Sequence, residues 1–354
     1  MTTEPPRRRS APRRLDPRPL RRLVVAVLAS ALVVGVASCT STPTGDSDAT
    51  VSADPVIYPL SLQYRGIRTV SDVPYGQAPL QQLDVCLPAG ASVATSASTP
   101  PETSGGAAAV PSGAATPRAR GTRAAIMMIH GGSWTHGDKA TAAYHAVCQY
   151  FASEGFVVFN VDYRLAPTDP FPAGLDDVRR ALDWVFRTST LDRYDVDAQR
   201  VGVFGGSAGG NLASLLGLED HESAAYADGD RIRAVAELSG PSDLTTASTE
   251  AGGVTPRFQR TQLRYLDCTA YADCPAAERA SPVHQVTKDT PPFFIGQSTH
   301  EFIPQWESRR FAAELRRHDV PVTLVMVRGT AHSIAQLDEG MSRRVVAFFR
   351  ARLR

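Results

Sequence analysis

The stretch that most constrains the fold of this sequence is an apolar run that ends in a glycine-rich turn. Residues 201–211 read Val-Gly-Val-Phe-Gly-Gly-Ser-Ala-Gly-Gly-Asn, and an apolar segment follows at 212–218. This order predicts a strand, a sharp turn and a helix, with Ser207 at the apex. Small residues on both sides let the backbone turn tightly and expose the serine hydroxyl. The pattern predicts a serine nucleophile; the alternative is a turn that only packs a helix on a sheet.

Short apolar runs alternate with amphipathic segments through most of the chain. Because strands of this kind are buried on both faces, the alternation predicts an α/β fold with a mostly parallel sheet and helices on both faces. Ser207 would then lie at the carboxyl end of a central strand, where open sheets bind ligands. The predicted strands are 124–129, 157–161, 201–204, 234–238, 293–295 and 320–327, with an antiparallel edge hairpin at 68–73 and 82–87, and the predicted helices are 140–153, 174–187, 208–218, 304–317 and 336–350.

Composition and charge place the chain among ordinary globular proteins. It has 354 residues, of which 43% are hydrophobic and 21% charged, so it can build a large core. The formal net charge of +1 hides an uneven distribution, because residues 1–38 hold eight arginines and only two acidic residues. The remainder is mildly acidic, which argues against a nucleic-acid partner.

The first 38 residues have the pattern of a signal peptide. A basic segment at 7–22 precedes an apolar run at 23–36, which is too short for a comfortable membrane span. Residues 36–39, Val-Ala-Ser-Cys, resemble a bacterial lipobox, in which Cys39 would be lipidated and become the mature N-terminus. We expect an exported protein that is lipid-anchored on the outer face of the cell membrane. The alternatives are an ordinary secretion signal and a short uncleaved anchor.

Two further segments have the composition of flexible chain. Residues 39–56 are rich in Ser, Thr, Asp and Pro and predict a tether to a catalytic domain at 57–354. Residues 89–121 consist almost entirely of Ala, Ser, Thr, Pro and Gly. They cannot bury enough apolar surface to offset the entropy of ordering them, so they predict a disordered insertion.

Four cysteines remain once Cys39 is set aside, an even number in a chain predicted to reach an oxidising compartment. Cys268 and Cys274 are close together in a polar loop, which predicts a disulfide. Cys86 and Cys148 could also pair, but sequence alone leaves that open. The spacing of the cysteines and histidines does not match a metal site, and we expect neither a metal nor an organic cofactor.

A second glycine motif follows the strand predicted at 124–129. Residues 130–134 read His-Gly-Gly-Ser-Trp, and the glycines would let backbone N–H groups approach a substrate oxygen closely. Together with the N–H of Ala208, those of Gly131 and Gly132 predict an oxyanion hole. In combination with the serine turn, this motif indicates acyl-transfer chemistry.

These residues together resemble the α/β-hydrolase superfamily, in particular the bacterial carboxylesterases related to hormone-sensitive lipase. The resemblance runs from about residue 83 to the C-terminus without 89–121, and it includes Asp-Tyr-Arg-Leu-Ala-Pro at 162–167 and Phe-Pro-Ala at 171–173. It implies structural roles around the oxyanion loop for Tyr163, Arg164 and Asp177. The third glycine that the family usually has in this loop is replaced here by Ser133.

The order of the triad in such hydrolases is serine, acid, histidine. His332, after the last predicted strand, fits the histidine. The only carboxylate in the loop after the preceding strand is Glu301, which would accept a hydrogen bond from Nδ1 of His332. In strict family register the acid position falls on His300, one residue earlier. Glu301 could instead cap the helix near residue 304, and Asp243 is the reserve acid.

The sequence therefore predicts a serine hydrolase that cleaves small-molecule carboxylic esters through an acyl-enzyme. A small cap at 244–290, with one helix at 256–266, would cover a rather open pocket whose other wall includes Trp134 and residues 169–172. Two alternatives remain: an amidase or peptidase with the same triad, and a non-catalytic envelope lipoprotein on a hydrolase scaffold.

Overall fold

One eight-stranded sheet runs through the computed structural model, which describes residues 57–91, 93, 122–219 and 231–354. The strand order is β1-β2-β4-β3-β5-β6-β7-β8, where β2 is antiparallel to β1 and β4 and all other neighbours are parallel. The predicted α/β class and the antiparallel hairpin at the edge are confirmed. The strands are β1 (Arg68–Pro74), β2 (Gln82–Leu87), β3 (Arg123–Ile129), β4 (Val157–Val161), β5 (Val196–Gly206), β6 (Ile232–Leu238), β7 (Phe293–Ser298) and β8 (Val322–Val327).

Helices cover both faces of this sheet and create two hydrophobic cores. Because successive strand residues point to opposite faces, Val203 of β5 lies in the core shared with α4, while Phe204 lies in the core shared with α1 and α9. The ring of Phe204 packs edge-on against Phe151, with centroids 5.1 Å apart. The helices are α1 (Ala142–Ser153), α2 (Ala173–Val185), α3 (Thr188–Tyr194), α4 (Ala208–Glu219), α5 (Thr246–Ala251), α6 (Pro256–Leu266), α7 (Pro275–Arg279), α8 (Gln305–Arg317) and α9 (Glu339–Arg352).

Several element boundaries differ from those predicted. Strand β5 begins at Val196 rather than at residue 201, because Val196 continues the pairing with Arg123 of β3. The short helix α3 was not predicted. The last helix begins at Glu339, where the Asp338 side chain accepts a hydrogen bond from the Met341 N–H. The predicted signal peptide and lipobox at 1–39, the tether at 39–56 and most of the insertion at 89–121 lie outside the described residues.

Disulfides join both pairs of cysteines in the folded body. The predicted bond between Cys268 and Cys274 is present and closes the loop directly after α6. Cys86 of β2 also bonds Cys148 of α1, which answers the question that the sequence left open. Within the described ranges, no helix has the length and apolar character needed to cross a bilayer.

Candidate active site

Ser207 lies at the sharp junction between β5 and α4, as predicted. Its φ of 57° is in the left-handed region, which residues other than glycine rarely adopt. The turn is so tight that a Cβ on Gly205 would lie 2.1 Å from the carbonyl oxygen of Gly209. A Cβ on Gly209 would lie 2.2 Å from the carbonyl oxygen of Ile129. These glycines are therefore required by close backbone contacts. The strained turn presents Ser207 Oγ at the carboxyl end of β5.

Ser207, His332 and Glu301 form one continuous chain of contacts. Nε2 of His332 is 2.8 Å from Ser207 Oγ, and its Nδ1 contacts Oε2 of Glu301. When the Nδ1–H group donates a hydrogen bond to the carboxylate, Nε2 carries no proton and can accept a hydrogen bond from the serine hydroxyl. The Glu301 side chain is only 1% exposed, whereas that of His332 is 24% exposed. The three predicted triad residues thus meet in an arrangement suited to nucleophilic catalysis.

Four donors hold the second oxygen of the Glu301 carboxylate, and none of them was singled out from the sequence. The helix α8 has Pro304 as its N-terminal cap and no side-chain cap, so the helix-capping alternative for Glu301 is not realised. The donors come from the ends of β6 and β7 and from the turn after His332. They are Ser239 Oγ at 2.7 Å, Gln297 Nε2 at 2.8 Å, Ser298 N at 3.1 Å and Gln336 Nε2 at 3.3 Å.

The two other candidates for the acid position have different partners. The imidazole of His300 is exposed, and its Nδ1 lies 2.8 Å from Thr299 Oγ1. Asp243 accepts hydrogen bonds from the backbone N–H and the hydroxyl of Thr245, at 2.9 and 2.6 Å, and pairs with Arg310. The backbone bond from Ser298 to Glu301 turns the Glu301 side chain back toward the end of β7.

The predicted oxyanion donors divide into two groups. The N–H of Gly131 already donates to the hydroxyl of Tyr144 at 2.6 Å, so Gly131 does not fit its predicted role as an oxyanion donor. A Cβ on this glycine would lie 2.7 Å from Gly206 O and 3.2 Å from Ser207 Cβ. The role of Gly131 in this structure is to let the loop pack directly against the serine turn.

The remaining two predicted donors keep their N–H groups available. Among the described residues, no acceptor contacts the N–H of Gly132. Ala208 is the first residue of α4, where backbone N–H groups have no acceptor within the helix. Gly132 has a φ of 127°, and a Cβ there would lie 1.8 Å from His136 O. Ser133, which replaces the usual third glycine, adopts a left-handed φ of 52°.

His130, at the start of the oxyanion loop, has a structural environment. Burial lowers the pKa of His130 to about 4, so the imidazole is neutral at pH 7. Its Nδ1 is 2.8 Å from Gly131 O, and its ring stacks on Tyr163 with centroids 4.4 Å apart. Tyr163 in turn donates its hydroxyl to His130 O at 3.0 Å. The structural role that the resemblance implied for Tyr163 agrees with these contacts, and Arg164 pairs with the buried carboxylate of Asp177.

Aromatic side chains pack between the oxyanion loop, α6 and the triad. Trp134 of the oxyanion loop stacks on Tyr265 with centroids 4.2 Å apart, and Phe258 lies beyond at 6.2 Å. Both partners belong to α6, the helix expected in the cap. Phe302, next to the triad carboxylate, lies 4.2 Å from the ring of His332. Among the described residues, no group of three or more His, Cys, Asp or Glu side chains is arranged to hold a metal ion.

The strand order, the serine turn and the late histidine define an α/β-hydrolase fold. Solved esterase structures share it at low sequence identity. Esterase B from Lactobacillus rhamnosis superposes with a TM-score of 0.62 at 19% identity, over 81% of this chain and 86% of that one. The metagenomic carboxylesterase EstE1 gives 0.61 at 21% identity, over 82% and 90% of the two chains.

The BD-FAE family model matches residues 115–315, more than half of the sequence, and the chain belongs to that family. The probable carboxylic ester hydrolase LipM of Mycobacterium tuberculosis is 30% identical over 223 residues, which are 60% of this chain and 50% of LipM. Arylacetamide deacetylase of Oryctolagus cuniculus is 43% identical over 95 residues, 27% and 24% of the two chains. The chain spans about half the length of the mycobacterial relatives. The predicted resemblance to the esterase branch of the α/β-hydrolases is confirmed.

Proposed function

We propose that this protein is a serine esterase that hydrolyses carboxylic esters through an acyl-enzyme. The observation that carries the proposal is the continuous contact from Ser207 through His332 to the buried carboxylate of Glu301. The names of the mycobacterial relatives, a probable carboxylic ester hydrolase and two esterases, support an ester substrate.

The geometry supports a two-step reaction. Nε2 of His332 takes the hydroxyl proton as Ser207 Oγ attacks the ester carbonyl, and Glu301 stabilises the imidazolium that results. The N–H groups of Gly132 and Ala208 bind the oxyanion of the tetrahedral intermediate; one such donor typically contributes about 10²–10³-fold to kcat. The imidazolium then protonates the leaving alcohol oxygen. A water, activated by the same histidine, releases the acid and restores Ser207.

The donors around Glu301 serve the same chemistry indirectly. Hydrogen bonds from Ser239, Gln297 and Gln336 fix the carboxylate in one orientation, and charged acceptors gain most from such bonds. A fixed carboxylate holds His332 in one tautomer, with Nε2 directed at Ser207. The buried polar network therefore preorganises the base before a substrate binds.

Amide hydrolysis is a second candidate, because one relative of 43% identity over 95 residues is named arylacetamide deacetylase. The same triad can attack an amide carbonyl, and His332 would then protonate an amine. Matched substrates with one acyl group, such as phenyl acetate and acetanilide, would distinguish the two activities. We expect the ester to be cleaved far faster by this chain.

We also propose that the enzyme works outside the cytoplasm on a lipid anchor at Cys39. The basic and apolar segments before Val-Ala-Ser-Cys at 36–39 support this. The Cys39→Ala variant should lose lipidation and be released or mislocalised. An unlipidated wild-type protein that stays with the membrane would contradict the proposal.

The enzymatic proposal is tested with p-nitrophenyl acetate and butyrate. Wild-type protein should hydrolyse both esters, and Ser207→Ala should lose this activity while keeping its melting temperature. A fluorophosphonate probe should label the wild-type protein at Ser207 only. Equal hydrolysis by the two proteins would overturn the assignment. Folded wild-type protein that neither reacts with the probe nor cleaves esters would support the non-catalytic scaffold.

A further inference from the structure

Phe302 occupies an unusual position beside the triad. It directly follows Glu301, and its ring centroid lies 4.2 Å from that of His332. The Phe302 ring also packs against Phe258 of α6, with centroids 5.2 Å apart and an angle of 78° between the ring planes. Phe302 nevertheless stays 39% exposed, and among the described residues the only other large hydrophobic side chain so open to solvent is Leu60. The ring is thus fixed by two aromatic partners and still offers an apolar surface.

The chemistry of the triad tells which part of an ester would meet this surface. The proton held on Nε2 must reach the leaving alcohol oxygen, so that oxygen comes within hydrogen-bond distance of the imidazole. The alcohol group therefore passes beside His332, while the carbonyl oxygen points to Gly132 and Ala208 on the other side of Ser207. The side chain that packs on the imidazole is Phe302. It accordingly flanks the alcohol rather than the carbonyl oxygen.

We propose that Phe302 is a specificity-determining residue that receives the alcohol part of the ester and favours bulky apolar or aromatic alcohols over small ones. The inference rests on the proposed esterase function and refines its substrate class. Because His332 and Phe258 already hold the Phe302 ring, this side chain loses little conformational freedom when a substrate binds. A ring or alkyl chain of the alcohol would cover the apolar surface that is now open to water. A methyl or ethyl group covers less of this surface than an aromatic ring or a longer alkyl chain does.

The test varies one side of the ester at a time. Butyrate esters of methanol and benzyl alcohol form the alcohol series, and methyl butyrate and methyl hexanoate form the acyl series; release of acid is followed by titration at constant pH. The full chain is compared with Phe302→Ala and Phe302→Leu, and with Leu60→Ala as a control that removes an equally exposed apolar side chain elsewhere. The readout is the ratio of kcat/KM within each series.

We expect Phe302→Ala to lower the ratio of kcat/KM for benzyl butyrate to that for methyl butyrate by about tenfold, the scale of one apolar contact with a substrate. The ratio of kcat/KM for methyl hexanoate to that for methyl butyrate should stay within about twofold of wild type. Phe302→Leu should lie between, and Leu60→Ala should match wild type. If Phe302→Ala slows every ester equally, Phe302 only packs against His332 and the inference is wrong. An unchanged benzyl-to-methyl ratio also overturns it, while the esterase proposal stands. Wild-type protein that cleaves no ester overturns both. Should the alanine variant not fold, Phe302→Leu decides.

Discussion

The carboxylate of Glu301 contacts Nδ1 of His332 with Oε2 and accepts four hydrogen bonds with Oε1. Its two oxygens therefore have different tasks: one orients the base, and the other fixes the carboxylate within the protein. The loop after β7 turns the Glu301 side chain back toward the strand end, where the Ser298 N–H donates to it. This division of tasks makes the acid position directly testable.

Glu301→Gln should lower kcat by about 10³–10⁴-fold, since an amide no longer stabilises the imidazolium and can favour the wrong tautomer. His300→Ala is the matched control, because His300 holds the expected family register but is exposed and bonded to Thr299. It should keep kcat within about twofold. Rates are measured with p-nitrophenyl butyrate at saturating substrate. A larger loss in His300→Ala than in Glu301→Gln would move the acid role away from Glu301.

Tyr144→Phe removes the acceptor for the Gly131 N–H, which is buried beside the serine turn. An unsatisfied buried donor costs about 1–3 kcal/mol, so the melting temperature should fall by several degrees and kcat should fall with it. Gly131→Ala should lose more activity, because its Cβ would lie 2.7 Å from Gly206 O. Thermal unfolding and steady-state rates check both variants. Wild-type activity in Gly131→Ala would show that this contact is not needed.

The two disulfides should contribute differently to stability and to substrate binding. Cys86 and Cys148 are 62 positions apart, and Cys268 and Cys274 only 6. Loop-closure entropy then predicts that replacing the first pair by alanine costs about 4 kcal/mol and the second about 2 kcal/mol. The loop closed by Cys268 and Cys274 follows α6, which carries Phe258 and Tyr265. Removal of this disulfide should therefore raise KM more than removal of the Cys86–Cys148 disulfide. Urea unfolding and KM values measure the two effects, and the reverse ranking in both would contradict this prediction.

Glu237 gives the stability of the protein a pH dependence. Burial, together with repulsion from Glu301 and Glu307, raises the pKa of Glu237 from 4.5 to about 8. The folded state thus favours the neutral acid. The stability that wild type keeps while Glu237 is neutral is fully present below pH 4.5 and is lost as the pH rises through about 8. Glu237→Gln imitates the neutral form, so at pH 9 its free energy of unfolding should exceed that of wild type by an amount on the order of a few kcal/mol. Its melting temperature at this pH should accordingly be higher.

The measurement for Glu237 is thermal unfolding between pH 5 and pH 9. Glu339→Gln serves as the control, because Glu339 is exposed and pairs with Arg343 within one helix. The control should follow the wild-type curve over this range, whereas the curve of Glu237→Gln should be flatter. Parallel curves for wild type and Glu237→Gln would show that Glu237 does not titrate in this range.

The sequence predicted the parts of the site that depend on local backbone geometry. The serine turn, the glycines around it and the late histidine are specified by short-range patterns, because a tight strand-to-helix turn restricts the residue types that fit. The parallel sheet followed from alternation of apolar runs and amphipathic segments. Glu301 could be selected since it is the only carboxylate in its loop.

Contacts between distant segments could not be read in this way. Tyr144 captures the Gly131 N–H only because α1 packs beside the oxyanion loop, and no periodicity encodes that approach. Ser239 and Gln336 are 97 positions apart, yet they share one hydrogen bond and both reach Glu301. Side-chain donors of this kind are common throughout sequences, so their type carries no signal until the fold brings them together.

The glycine contacts around Ser207 also bear on how this protein can diverge. Gly205 and Gly209 place backbone directly against backbone, and any side chain there would collide with a carbonyl group. Substitutions of Gly205 or Gly209 should therefore be strongly disfavoured, whereas Phe302, which is 39% exposed, and the exposed residues of α6 can become smaller without such a collision. Natural variation should therefore accumulate at these exposed side chains while the serine turn stays fixed.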